Sequence, residues 1–129
     1  MSMGKSSTPL GKVRGLGASG EGGKHWLTER FTSVALVLLS AWLIFAIILL
    51  PDLSQRTMGE FLSQPLGFVP MALFVITAFI HGLDGLKVVV DDYVHTEGNR
   101  VALHFFMTMA AIGGASLALF ALAQIAFGA

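Results

Sequence analysis

The chain contains no cysteine, so it cannot by itself supply thiolates to zinc or an iron–sulfur cluster, nor form a disulfide scaffold. Charge is also scarce: Asp, Glu, Lys and Arg make up 12% of 129 residues, against about 25% in an ordinary soluble domain. The net charge is zero, which gives no electrostatic signal for nucleic acid. No apolar h-region precedes a small-residue cleavage site near the start, which predicts no cleaved secretory signal; a transit peptide is the weaker alternative. There is no internal repeat, no pair of broken helices of the inverted-repeat carriers and no flavin fingerprint.

What remains is apolar. Hydrophobic residues make up 54% of the chain and mean hydropathy is +0.74. A chain this short leaves too much surface exposed to hide such a composition inside a water-soluble core, which predicts a membrane protein. Residues 1–24 form a Gly/Ser/Lys-rich polar tail with Lys5, Lys12, Arg14 and Lys24. The uncharged run from Phe31 to Leu50 is long enough to cross about 30 Å of hydrocarbon as a helix. It ends at Pro51–Asp52, and 51–64 reads as a polar connection. A second apolar segment runs from Pro65 to about Val90, a polar turn covers Asp91–Arg100, and a third segment fills Val101 to about Phe127. The expectation is an all-α membrane protein with a polar tail at 1–24 and a membrane unit at 25–129, its three transmembrane helices near 28–50, 65–92 and 101–127.

Lys and Arg set the orientation. Lys5, Lys12, Arg14, Lys24 and Arg30 precede or open the first helix, Lys87 and Arg100 flank the second connection, and only Arg56 lies on the other side. That bias predicts a cytoplasmic or matrix-facing N-terminus. Three helices are few for a self-contained transporter, which suggests a heteromeric helix bundle. Ala110, Gly114 and Ala118 form a small-residue stripe on the third helix, suited to packing either on a partner or within the chain.

Ionisable residues inside a membrane are costly and mark function by default. Here they gather at the inner end of the second helix: His81, Asp84, Lys87, Asp91 and Asp92. Helical spacing brings Asp92 back to within about 20° of His81. Lys87 stands i,i+4 from Asp91, a structural pair, or snorkels toward the headgroups. Counting along the segment puts His81 near mid-bilayer, where a neutral imidazole suits an axial ligand to haem iron, with Gly82 and Gly85 leaving room beside it. A hydrogen bond to a neighbouring helix is the competing reading. His104 counts as too shallow to complete a ligand pair with His81, and His25 and His95 read as loop or interface residues. Arg30, following the interfacial Trp26, suits a haem propionate or a quinone oxygen, or simply sets topology.

The pattern His81-x3-Gly85-x6-Asp92-Tyr93-Val94-His95, in the second of three helices, resembles the hydrophobic membrane-anchor subunit of succinate dehydrogenase, the smaller D-type anchor. The HWLTERFTSVAL segment around Trp26 and Arg30 is similar to the alphaproteobacterial branch of that family. The resemblance runs from the entrance of the first helix to the second connection, about half the chain, with helix number and topology agreeing elsewhere. The resemblance implies a succinate:ubiquinone oxidoreductase (complex II) anchor in the bacterial inner membrane, or the mitochondrial inner membrane if eukaryotic. It implies a companion cytochrome b anchor subunit, an iron–sulfur subunit and a flavoprotein subunit as partners, and a haem b shared between the anchors. His81 matches the haem's axial ligand, and Tyr93 and Asp92 match the ubiquinone hydrogen-bond donor and the acid linked to its protonation, with Asp91 the fallback. Arg30 matches an arginine near haem and quinone. The chain is then a subunit that contributes to a quinone-reduction site without being catalytic alone. Two alternatives stand beside it: an anchor of a related quinone oxidoreductase such as fumarate reductase, and a non-enzymatic membrane protein whose His81–Asp92 face conducts protons or ions.

Overall fold

The computed structural model describes residues 9–10 and 22–128; most of the expected tail, including Lys5, Lys12 and Arg14, lies outside them. Among the described residues the chain is helical throughout. The principal elements are α1 (Gly22–Leu49), α2 (Gln55–Leu62), α3 (Pro65–Tyr93) and α4 (Glu97–Phe127). Helices α1, α3 and α4 are long and apolar enough to cross a membrane. At about 1.5 Å per residue they run to roughly 42–46 Å, more than the ~30 Å hydrocarbon thickness, so each carries polar turns beyond it.

The long helices overrun their hydrophobic stretches in a consistent way. Helix α1 starts six residues before the expected position, taking Lys24, His25 and Trp26 into helix. Helix α4 starts at Glu97, and the acid in its first turn complements the positive end of the helix dipole. The connection between α3 and α4 therefore shrinks to Val94–His95–Thr96. It is closed by Val94 N–H donating to Val90 O (2.8 Å) and Arg100 N–H donating to Thr96 O (3.0 Å). Asp91, Asp92 and Tyr93 thus belong to the last turn of α3.

The 51–64 connection contains a helix that its polarity conceals. Ser54 caps α2, its hydroxyl accepting from Thr57 N–H at 3.3 Å, and Met58, Phe61 and Leu62 give α2 one apolar face. Leu62 is buried with Leu122 and Ala126 of α4, and Phe61, Phe68, Met71 and Ala72 pack around them. Phe61 also stacks on Trp42 of α1, with ring centroids 6.0 Å apart.

Helix α3 is central. It packs against α1 on one side and α4 on the other, while the backbones of α1 and α4 do not approach each other among the described residues. Of the stripe on α4, Gly114 packs within the chain, where an added Cβ would stand 2.8 Å from Phe79 Cε1, while Ala110 is exposed and helps line an open apolar cleft of about 460 Å³ with Ala78, Phe79 and Gly82. Few side chains are buried and the apolar flanks lie open, as expected of helices that meet lipid or other membrane subunits.

Candidate functional site

Most of the charges among the described residues lie toward one end of the bundle, where α1 begins, α3 ends and α4 begins. His81 anchors the arrangement. Its Nδ1 lies 3.0 Å from Thr32 Oγ1 of α1, a contact between residues 49 positions apart. Its Nε2 makes no hydrogen bond among the described residues and is not sealed inside the chain. Thr32 is the second residue of the uncharged run in α1, so the α1–α3 register sets His81 level with the start of that run. Gly82 and Gly85 are open, and a Cβ on either would meet nothing within 4 Å.

Nearly three turns further along α3, the two adjacent aspartates part company. Asp91 turns to α4, where its Oδ1 lies 3.2 Å from His104 Nε2 and 3.8 Å from Arg100 Nε. His104 Nε2 is shielded from solvent, yet it lacks the alignment of a hydrogen bond to that carboxylate. The local Lys87–Asp91 pair expected from i,i+4 spacing does not form, because α4 offers Asp91 two cationic or potentially cationic partners across the short turn. Asp92 has no ion pair among the described residues, and Tyr93 beside it is 78% exposed. His104 stands level with Asp91, ten residues or about 15 Å along α3 from His81. That distance separates it from any ligand pair with His81.

Arg30 is not brought to His81. It lies two positions before Thr32, about 160° around α1 from the face that meets α3, and its guanidinium sits 5.5 Å from the Trp26 ring centroid as a cation–π pair. His25 reaches Glu29 at 3.7 Å on the exposed entry turn of α1. At the opposite end of the bundle, Asp52 accepts from Ser54 N–H (2.9 Å) and Thr57 Oγ1–H (2.7 Å). These partners, Ser54 foremost, hold its carboxyl below the ordinary value of 3.8. They order the start of α2, a structural role.

Thr32 is the residue that sequence reasoning missed. Its signal was weak, a hydroxyl in an apolar run, and only the register between α1 and α3 reveals its partner. Among the described residues no group of three or more His, Cys, Asp or Glu could hold a metal ion. A haem would ask this surface for one imidazole nitrogen. His81, with one ring nitrogen engaged, the other open and two bare glycines following, fits that demand.

The sequence profile of the succinate dehydrogenase/fumarate reductase transmembrane subunit family matches residues 4–123. The succinate dehydrogenase hydrophobic membrane anchor subunit of Paracoccus denitrificans is 30% identical over 122 residues, covering 95% of this chain and 94% of the relative. That of Rickettsia bellii is 31% identical over 92 residues, 71% of this chain and 74% of its own. The succinate dehydrogenase membrane anchor subunit of Reclinomonas americana is 28% identical over 94 residues, 70% and 78% of the two chains.

Proposed function

Because the chain belongs to the succinate dehydrogenase/fumarate reductase transmembrane subunit family and is a multi-pass membrane anchor of that class, we propose that its charged end forms part of a site where ubiquinone is reduced. The observation that carries this reading is the placement of His81 and Tyr93 on one unbroken helix. His81 lies against α1 with Nε2 open, and Tyr93 is exposed at the helix end.

Reducing a quinone to a quinol takes two electrons and two protons. The chain has no cysteine for a cluster, so its electrons come from partners: a flavoprotein and an iron–sulfur subunit docked over the charged end. A companion cytochrome b anchor covers part of the open apolar flank and would supply the other protein ligand to a haem held by His81. Haem b, when bound by His81 Nε2, supplies a one-electron store next to the site. The remaining chemistry belongs to this chain's polar groups. The Tyr93 phenol donates a hydrogen bond to a quinone carbonyl oxygen and stabilises the negative charge that develops there. Asp92, unpaired and at the aqueous edge, passes protons inward, while Asp91 is held by Arg100 and His104 and serves the turn. Arg30, exposed and bound to no carboxylate among the described residues, holds an anionic group at the margin, a haem propionate or a quinone oxygen. The membrane is the bacterial inner membrane, or its mitochondrial equivalent.

Two substitutions test the reading in the purified complex. His81→Ala abolishes or shifts the b-type haem difference spectrum; an unchanged spectrum rules out ligation by His81. Tyr93→Phe lowers succinate-dependent ubiquinone reduction by about 10²-fold or more, within the range of a positioned proton donor, and spares electron transfer to an artificial acceptor at the flavoprotein. Equal quinone rates in mutant and wild type would remove Tyr93 from the site.

A further inference from the structure

Thr32 carries a single hydroxyl proton and stands among three possible partners. Its Oγ1 is 2.9 Å from Thr28 O, 3.1 Å from Glu29 O and 3.0 Å from His81 Nδ1. The two carbonyls can only accept, and they lie one turn back along α1, where a helical threonine hydroxyl ordinarily gives its proton. A hydroxyl donating to a carbonyl has only lone pairs left for the imidazole. The arrangement that satisfies all three contacts therefore has His81 Nδ1–H donating to Thr32 Oγ1. In a neutral imidazole the lone pair then resides on Nε2, the nitrogen that makes no other bond.

We infer that Thr32 is a positioning residue: it fixes His81 as the Nδ1–H tautomer, aims Nε2, and tunes what Nε2 binds. The inference rests on the reading of His81 as a haem ligand and deepens it. Ligating histidines usually give their second N–H to a carboxylate, a carbonyl or water. A hydroxyl is a weaker acceptor than a carboxylate, and this one is already committed to the α1 backbone. It draws little proton density from Nδ1, so the imidazole stays a neutral, moderately basic ligand. The contact also spans two helices, so the orientation of the ring depends on the α1–α3 register.

The test compares wild type, Thr32→Val, Thr32→Ser and His81→Ala in the assembled, detergent-purified complex. Valine matches threonine in shape and removes the acceptor; serine restores it. Thr32→Val weakens haem retention by about 10-fold or more, as loss of an outer hydrogen bond to a ligand does. It also moves the haem midpoint potential upward, because a ligand that gives less electron density favours the ferric iron less. Thr32→Ser stays near wild type in both, and succinate oxidation by an artificial acceptor is unchanged in the two Thr32 variants. Identical retention and potential in Thr32→Val and wild type would overturn the proposal. A second readout does not depend on haem. In haem-free complex, from cells starved of haem and fed 15N-ring-labelled histidine, the His81 signals, assigned by their loss in His81→Ala, show a protonated Nδ1 in wild type and Thr32→Ser and lose that preference in Thr32→Val. A protonated Nε2 in wild type overturns the proposal whatever the spectra show. A b-type spectrum that survives His81→Ala fails the ligand reading alone.

Discussion

Gly67 and Gly85 are both glycines of α3, yet their surroundings ask different things of them. A Cβ on Gly67 would collide with the Phe61 carbonyl, where α2 turns back into α3, whereas one on Gly85 would meet open space. Gly67→Ala is therefore expected to destabilise the corner by about 1–3 kcal/mol, the usual cost of forcing atoms into a filled site. Gly85→Ala should leave thermal unfolding of the purified complex unchanged while crowding the surface beside His81. Equal melting temperatures for the two variants would contradict the corner's geometry. Asp52 offers a pH test at the same scale. Its folded pKa is depressed by Ser54 and Thr57, so its contribution to ordering α2 is present above the ordinary carboxylate value and fades as pH falls through the lowered one. Asp52→Asn should flatten that acid limb, followed by NMR titration of the Thr57 amide; an unchanged limb would remove Asp52 as its source.

At the scale of elements, the sequence made some boundaries plain and hid others for physical reasons. The uncharged run Phe31–Leu50 marks what sits in hydrocarbon. Helix α1 begins at Gly22, because polar residues such as Lys24 and Glu29 continue a helix as readily as apolar ones once it is formed. Helix α2 escaped because its segment reads as polar on average, although Met58, Phe61 and Leu62 repeat at helical spacing. Leu62→Ala should cost about 2 kcal/mol, the lower end for a leucine in a small core, and detach α2 in limited proteolysis. The fate of Asp91 depended on α4. Local spacing offers Lys87, while the three-residue turn brings Arg100 and His104 closer, a contact that no pattern along α3 predicts. The two acids should therefore separate on substitution. Asp92→Asn should slow quinone reduction with little change in stability, and Asp91→Asn should loosen the 94–96 turn, seen as faster amide exchange there, with a smaller effect on turnover. The reverse assignment of effects would make Asp91 the proton-linked acid.

At the scale of the molecule, the class, the three spans and the end at which charge collects were legible in composition and hydropathy. The lateral order of the helices was not, since α1, α3 and α4 all present mixed apolar faces and only their packing makes α3 central. Orientation across the bilayer rests on the Lys/Arg bias and can be tested cleanly, because the natural chain has no cysteine to interfere. A membrane-impermeant maleimide should label Gln64→Cys from the periplasmic or intermembrane side and Thr96→Cys from the cytoplasmic or matrix side; both positions are exposed and neither side chain caps its helix. The opposite pattern would invert the topology. Helix α3 also sets a strict rule for change over evolutionary time. His81 and Tyr93 share one rigid rod with no loop between them, so their separation, about 18 Å along the axis, is a property of residue count alone. Side chains between them can drift, but one inserted or deleted residue would swing Tyr93 by about 100° and shift it about 1.5 Å. Outside Gly82, Gly85, Asp91 and Asp92, the interval should therefore tolerate substitutions far better than any change of length.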